Sequence, residues 1–508
     1  MNDTNNSRHT SLVLLVALQT GISAAGLVVE IVAARMIAPY VGMSLYTWTA
    51  IIAIVLAGFS VGHWWGGRLA ALDNKRALTR VAWTLIAAAL FTASASFVLR
   101  QVASPVLQAF SEPLTAISTI TFAAFFLPSL FAGVPAPVLA VVAMRGRNQS
   151  EQALGVMFAA GAVGAIVGTL MAGFVFISWL GSEITLQLMA VFYAIAAAVV
   201  FGIARAAPAT LGSAACVTAL VFLMGWNTLS TPKVCDVESS YYCIRTEVLD
   251  NNAQGLVHVM ILDHLAHGVS ARDAPTVMYT DHTAMLDALP RMRMGDGRFS
   301  SFHIGGGTYS VPRAWAFRGQ TDITVAEIDP LVTQAAVDQF WFETGSATVV
   351  HDDARSILRS KEQEYDVIVG DAFTDIAVPA HLVTREFFEL VSLRLLPSGV
   401  FAMNVVDRVD SLSALAAMYR TLKTVFPSVE VWTEASPPRP SERRVFVLLA
   451  GQNDSPVSRI ETLTPDPKQF APLASKFMDE LVVRVKAPLL SDDFAPIDRL
   501  MGLTSVLE

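Results

Sequence analysis

The chain has 508 residues, of which 53% are hydrophobic and 15% charged, and its mean hydropathy is +0.51. This composition excludes an ordinary soluble globular protein, so part of the chain is expected to lie in lipid. Residues 1–230 hold 10 Lys/Arg and 6 Asp/Glu, whereas residues 231–508 hold 25 and 37. The acidic second half argues against nucleic acid as a partner, because neutralising phosphates requires a basic surface.

The first 230 residues contain about seven apolar stretches. A membrane helix needs about 20 mostly apolar residues, and such stretches run near 11–38, 45–66, 79–99, 114–143, 153–178, 182–204 and 210–228. The first is too long for a cleavable signal peptide and is predicted to be a membrane helix. We therefore predict a multi-pass α-helical bundle over residues 1–230, with the lipid bilayer as partner and the plasma (inner) membrane as location. Glu30 and Arg35, beside this first helix, suggest an ion pair or a substrate path.

The pattern changes after the polar linker at residues 227–232. Two β-like runs, Tyr241–Val248 and Gly255–Leu262, predict a small β-rich region over residues 231–298. From Phe299 onward, short apolar runs alternate with helical segments. This βαβαβ rhythm predicts an α/β domain with a parallel, doubly wound, Rossmann-like sheet over residues 299–508.

Four of the predicted strands end in glycines or acids. Glycine allows the backbone to approach a ligand closely at the carboxyl end of a strand, and an acid about 20 residues later can accept both ribose hydroxyls of a nucleoside. Because the ends of parallel strands share one edge, these residues are expected to line one cleft. The four strand ends carry Gly305–Gly307, Glu327, Asp353 and Asp371.

These motifs resemble the spermidine synthase (polyamine aminopropyltransferase) family, and specifically its membrane-spanning branch, most clearly over residues 235–407. The resemblance implies a spermidine-synthase or methyltransferase type of fold and a possible homodimer. It also implies that S-adenosylmethionine or its decarboxylated form donates an alkyl group to a small amine and leaves as methylthioadenosine. Further similarity to that branch lies at residues 26–30, 35–39, 66–68 and 161–173, with a weaker match at 492–496.

The resemblance also implies roles for individual residues. The donor nucleoside would rest on Gly305, Gly306, Gly307 and Thr308, its ribose on Glu327 and Ile328, and its adenine on Asp353 and Ala354. Asp371 would help deprotonate the amine, with Asp375 as the second acid of the active-site loop. Weaker candidates for substrate contacts are Tyr242, Asp281, His282 and His381. The Cys and His residues show no metal-ligand spacing, so no metal is predicted.

The sequence departs from the family at the substrate end. Thr308 replaces an aspartate that grips the amino end of the decarboxylated donor, which favours S-adenosylmethionine itself. The family's Tyr-His-Glu gate is not recognisable around residues 279–285. The second aspartate of the family's active-site loop lies one position later in this sequence, as Asp375. These differences argue against putrescine as acceptor. The alternatives are a methyltransferase, or a transporter or sensor that binds a polyamine or nucleoside without turnover, and Glu327 and Asp353 could instead cap helices.

The basic residues predict the orientation in the membrane. Lys/Arg cluster between the second and third helices and between the fourth and fifth, which places those loops in the cytoplasm and, with seven helices, the enzyme domain outside. A disulfide between Cys235 and Cys243 would agree with that location. The donor, however, is a cytosolic metabolite, and two passes within 114–143 would reverse the orientation.

Overall fold

The computed structural model describes residues 11–502 except 111, 146, 296, 373–378 and 464. The chain divides into two compact units, Met1–Ser240 and Tyr241–Glu508.

The first unit is a helical bundle. Six stretches within its described residues are long and apolar enough to cross a membrane. One of them, Ser150–Ala204, has 55 residues, or about 80 Å of helix, and is interrupted at Gly181, whose φ is +78°. Because a bilayer core is about 30 Å thick, this stretch is long enough for two crossings, and the helix count is close to the seven predicted. The helices are α1 (Leu12–Val41), α2 (Leu45–Leu69), α3 (Asn74–Ala109), α4 (Pro113–Gly133), α5 (Pro135–Met144), α6 (Ser150–Met171), a π-helical turn (Ala172–Ile177), α7 (Ser178–Ala204) and α8 (Pro208–Ser230).

The proline-rich stretch from Pro113 to Met144 is a single candidate membrane span. Val134, between α4 and α5, has helical φ and ψ angles of −59° and −40°, so the chain continues in one direction. The ten residues of α5 are too short to span a bilayer alone. The predicted alternative of two passes within this segment is therefore not supported.

Glycines allow helices of this bundle to approach closely. A Cβ atom at Gly164 would lie 2.2 Å from the backbone oxygen of Thr20, and one at Gly168 would lie 2.3 Å from that of Ala24. These contacts join α6 to α1, in line with the packing role that the small residues of this segment suggested. Arg35 lies 3.8 Å from the carboxylate of Glu238 and donates to the carbonyl of Ser239 at 2.7 Å, so it takes part in an ion pair.

The second unit begins with an antiparallel meander of β2 (Cys243–Asn252), β3 (Gly255–Leu262) and β4 (Leu265–Ala271). The predicted run Gly255–Leu262 coincides with β3, and the run Tyr241–Val248 overlaps β2, which begins two residues later. The short β1 (Val237–Glu238) precedes it in the first unit. Helix α9 (Asp281–Met294) then leads into a nine-stranded sheet.

The nine-stranded sheet is mixed. Its order is β12-β13-β10-β11-β9-β8-β5-β6-β7, and the five strands from β9 to β7 are parallel, as predicted. The remaining strands pair antiparallel and were not predicted. The strands are β5 (Ser301–Ile304), β6 (Ile323–Ala326), β7 (Thr348–Val350), β8 (Tyr365–Gly370), β9 (Leu395–Arg408), β10 (Ser428–Glu434), β11 (Arg443–Gly451), β12 (Ile460–Thr462) and β13 (Lys468–Pro472).

Helices cover both faces of the sheet. In β8, Val367 and Val369 belong to one hydrophobic cluster and Ile368 to the other, which explains why this strand is a continuous apolar run rather than an alternating one. The helices of this unit after α9 are α10 (Ser310–Phe317), α11 (Pro330–Gln339), α12 (Ala354–Ser360), α13 (Arg385–Leu393), α14 (Ser413–Leu422), α15 (Ser475–Arg484) and α16 (Ile497–Gly502), with a 3₁₀ turn at Ala380–Leu382.

Candidate active site

The candidate site lies where the order of the parallel strands reverses. After β5 the chain adds β6 and β7 on one side, then returns to place β8 and β9 on the other. Ile304 pairs with Gly370 in register, so the turns that follow β5 and β8 begin side by side. In open α/β sheets a crevice forms at such a point, outside the carboxyl ends of the strands.

A cavity of about 550 Å³ occupies this crevice. The size lies within the range of small-molecule sites. Among the described residues, five acids and one arginine line it, so its charge favours a cationic ligand. Every proposed site residue except Asp375, which lies outside the described residues, lines this cavity: Tyr242, Asp281, His282, Gly305, Gly306, Gly307, Thr308, Glu327, Ile328, Asp353, Ala354, Asp371 and His381.

Gly305 is required by the close approach of two strand ends. Its φ is +91°, and a Cβ atom there would lie 2.8 Å from the backbone oxygen of Asp371. Gly307 also has a positive φ, +52°, but a Cβ atom there would meet open space. Gly305 is therefore required for the two strand ends to approach each other, whereas Gly307 leaves free space beside the backbone.

Backbone N–H groups hold the carboxylate of Glu327 in place. Its two carboxylate oxygens accept the N–H groups of Gly306 at 2.8 Å and Asp329 at 2.9 Å. Burial raises the pKa of Glu327, and these backbone donors oppose that shift. Backbone N–H groups therefore fix this carboxylate where it lines the cavity. The cap of α11 is not Glu327 but Asp329, which accepts the N–H of Leu331.

Asp353, in contrast, does cap a helix. One of its oxygens accepts the N–H of Ser356 at 2.8 Å, in the first turn of α12, and the other lies 2.7 Å from Nε2 of His381. His381 and Asp353 are therefore partners across the mouth of the cavity. The capping bond orients the carboxylate without using all of its acceptor positions.

Asp371 begins the turn after β8. Nδ2 of Asn404, near the carboxyl end of the neighbouring β9, donates to Oδ1 of Asp371 at 3.1 Å. Burial raises the pKa of the Asp371 carboxyl, while the electrostatic interaction with His282 and the Asn404 hydrogen bond lower it. A carboxylate with a raised pKa in a cavity is suited to accept a proton.

Thr308 takes part in a chain of hydroxyl groups. It is 3% exposed, and its Oγ1 lies 2.7 Å from Oγ of Ser310, which is also 2.7 Å from Oγ of Ser270. A Cβ atom at Gly268 would lie 2.4 Å from Oγ1 of Thr308, so β4 closes this side of the cavity. Uncharged donors and acceptors therefore occupy the position where the resembling family has a carboxylate.

The remaining substrate candidates have different surroundings. Asp281, at the start of α9, lies 2.5 Å from Nζ of Lys468, so its charge is compensated. Burial and the neighbouring Glu327 raise the pKa of Tyr242, which keeps that phenol protonated. His282 is placed to influence Asp371.

Sequence reasoning missed several polar residues of the cavity, among them Asn404 and His303. Asn404 is a lone amide in the apolar run of β9, and that contrast was the available signal. His303, in β5, is 2% exposed, packs against Trp315 with ring centroids 5.0 Å apart, and has an Nε2 atom without a partner among the described residues. Burial lowers the pKa of His303 to about 3, so the imidazole is neutral and presents one unused polar atom.

Comparisons with known proteins match the second unit. The spermine/spermidine synthase domain model matches residues 303–458. An N-terminal histidine N-methyltransferase of Emericella nidulans is 29% identical over 201 residues, which cover 38% of this chain and 34% of that protein. A solved probable spermidine synthase from Corynebacterium glutamicum aligns with 52% of this chain and 99% of its own, at 18% identity and a TM-score of 0.43.

The relative that decides the family is a polyamine aminopropyltransferase of Vibrio vulnificus. It is 31% identical over 209 residues, which cover 39% of this chain and 67% of that protein. This chain therefore spans between one third and two thirds of the length of these two relatives. The identity and coverage show that this chain belongs to the spermidine synthase (polyamine aminopropyltransferase) family.

Proposed function

We propose that this protein is a membrane-integral transferase that moves an alkyl group, most simply an aminopropyl group, from an S-adenosylmethionine-type donor to an amine. The observation that carries this proposal is the arrangement of Glu327, Asp371 and the glycine turn around one acidic cavity at the strand switch point. A sulfonium donor and an ammonium acceptor are both cations, so the acidic lining favours their binding. Relatives named aminopropyltransferases support the transfer.

In the proposed reaction, the chain positions two substrates and accepts one proton. The donor nucleoside lies on Gly305–Gly307 with its ribose hydroxyls donating to Glu327, and its adenine edge faces Asp353 and Ala354. The amine nitrogen attacks the carbon bonded to sulfur, a C–N bond forms, and the C–S electron pair leaves with the thioether. Asp371 takes the proton from the nitrogen, and orientation and charge stabilisation supply most of the rate.

Product analysis tests this proposal. Purified full-length protein is incubated with either S-adenosylmethionine or its decarboxylated form and a panel of amines that includes putrescine. Methylthioadenosine should appear, and Asp371→Asn should reduce it at least about a hundredfold, the usual contribution of a general base. The matched control is Asp338→Asn, at an exposed acid on α11.

Methyl transfer is the second candidate, because a methyltransferase is among the relatives and the same cavity would bind S-adenosylmethionine. The product separates the two, since methyl transfer leaves S-adenosylhomocysteine rather than methylthioadenosine. Donor binding without either product across the amine panel would contradict both and favour a transporter or sensor.

The seven crossings, with the Lys/Arg-rich loops in the cytoplasm, would put the second unit on the opposite side of the plasma (inner) membrane. A donor would then have to be supplied there. Fusion of a reporter that fluoresces only in the cytoplasm to the C-terminus tests this orientation, and a fluorescent fusion would contradict it.

A further inference from the structure

A second large cavity lies inside the helical unit. It has a volume of about 480 Å³ and is bounded by α1, α2, α4, α5 and α6. Its lining is mostly apolar and small, with Ile22, Ala132, Ala140 and Met157 among the contributors. The volume is within the range of small-molecule sites, and nothing in the proposed transfer reaction uses it.

One buried side chain that lines this cavity has a polar atom without a partner among the described residues. Gln19 is 6% exposed, and its Nε2 donates to Oγ of Ser23 at 3.1 Å, whereas its Oε1 has no hydrogen-bond partner among the described residues. Gln19 lies about 10 Å along α1 from the first residue of that helix, which is within the apolar depth of a bilayer. An amide oxygen without a hydrogen bond is strongly unfavourable at that depth, so a partner is expected.

Water is a poor partner at this position. A buried water molecule is stable when it makes two to four hydrogen bonds, and apolar cavities otherwise stay dry. Besides Gln19 and Ser23, the other side chain with a polar atom in this lining is His63, which is exposed at the rim. An amphipathic molecule satisfies the site better, because its apolar body fills the volume while one donor reaches Oε1.

The cavity is accessible from the lipid side of the bundle. Phe158, on α6, lines it and is 70% exposed, and the neighbouring Val163 and Ile166 on the same helix are 53% and 61% exposed. These side chains belong to the surface that faces hydrocarbon in a membrane. A ligand that is dissolved in the bilayer can therefore enter without crossing the polar loops.

We propose that this cavity binds a lipid-soluble molecule that has an apolar chain or ring body and one hydroxyl or amine, which donates a hydrogen bond to Oε1 of Gln19. The ligand class is set by the acceptor: an apolar molecule without a donor leaves Oε1 unsatisfied. This site is separate from the nucleoside cavity of the second unit and does not depend on the proposed transferase activity.

The test uses full-length protein in detergent and a long-chain alcohol that carries a photoreactive diazirine. Labelled peptides are mapped by mass spectrometry, and dodecanol competes against dodecyl methyl ether, which has a similar apolar chain but no donor. Labelling should map to α1 and α6, and dodecanol should compete about tenfold better, the ratio expected from one buried hydrogen bond.

Variants identify the residues responsible. Gln19→Leu should abolish the difference between the alcohol and the ether, whereas Ala140→Phe should reduce labelling by filling the cavity. Gln101→Leu, at an exposed glutamine of α3, is the matched control and should behave as the wild type. If Gln19→Leu does not fold, the comparison of alcohol and ether in the wild type still decides. Equal competition by the two compounds, labelling elsewhere, or an unchanged preference in folded Gln19→Leu would overturn the proposal.

Discussion

Replacing Asn404 with leucine should change how the proposed reaction depends on pH. The Asn404 amide stabilises the charged form of Asp371 through its 3.1 Å hydrogen bond. Leucine has a similar volume and no donor, so it removes this bond without admitting water. Because the Oδ1 atom of Asn404 is buried and has no partner among the described residues, removing that atom breaks no other hydrogen bond.

The expected change in kcat/KM follows from the hydrogen bond that is lost. A hydrogen bond to a charged group contributes about 1.5–3 kcal/mol, and the length of this one, 3.1 Å, favours the lower end. About 1.4 kcal/mol is a factor of ten in an equilibrium constant. Burial already raises the pKa of Asp371, and losing the amide raises it further. On the acid side of its pH profile, the variant should therefore show about tenfold lower kcat/KM than the wild type, while the two converge at high pH.

The assay is methylthioadenosine release, with kcat/KM measured across the pH range in which the protein remains folded. Asn251→Leu, at an exposed asparagine of β2, serves as the control and should leave the profile unchanged. A uniform decrease at all pH values would indicate a structural role for Asn404. A profile that moves toward lower pH, or does not move, would refute the assignment of Asp371 as the proton acceptor.

Three further predictions concern other parts of the second unit. Gly305→Ala should lower the unfolding temperature and weaken S-adenosylmethionine binding measured by calorimetry, because of its φ of +91° and the 2.8 Å contact, whereas Gly297→Ala, where a Cβ atom meets open space, should not. The Arg355 hydrogen bond lowers the pKa of Asp492 from 3.8 to about 2, so its stabilisation is present above pH 4 and lost toward pH 2. Unfolding midpoints of wild type and Asp492→Asn should therefore differ near neutral pH and converge in acid; parallel curves would argue against this pair. Thr308→Asp should raise kcat/KM for the decarboxylated donor relative to S-adenosylmethionine, since its carboxylate can pair with the donor's amine; an unchanged ratio would show that Thr308 does not select the donor.

The features that were predictable from sequence are those encoded within a few adjacent residues. Apolar runs of about 20 residues predicted the helices, and short runs that end in glycine or an acid predicted β5, β6 and β8. The convergence of Glu327 and Asp371 was also predictable, because the carboxyl ends of parallel strands share one edge of the sheet. Asp353 was expected either to line the cleft or to cap a helix. Its carboxylate caps α12, and the residue also lines the cavity.

The features that were not predictable depend on residues distant in sequence. Asp281 pairs with Lys468, which lies 187 positions away on β13, and no local sequence pattern predicts that contact. The antiparallel strands β10 and β11 follow the same apolar periodicity as a parallel strand, so their direction is set by the connecting turn rather than by composition. His303 looked like part of an apolar run, and its unpaired Nε2 atom is apparent only when the wall of the cavity is assembled.

The two ends of the cavity are stabilised in different ways, and this difference bears on specificity. At the proposed nucleoside end, backbone N–H groups fix Glu327, so we expect substitutions in the surrounding side chains to leave its position unchanged. At the proposed acceptor end, two side chains, Asn404 from β9 and His282 from α9, influence the pKa of Asp371. Because side chains can be exchanged without moving the backbone, the acceptor end can change its amine while the donor pocket is retained. In the proposed assignment, Thr308 and Asp281, which is paired with Lys468, lie on the substrate side of the cavity, whereas the glycine turn and Glu327 form the side proposed for the nucleoside.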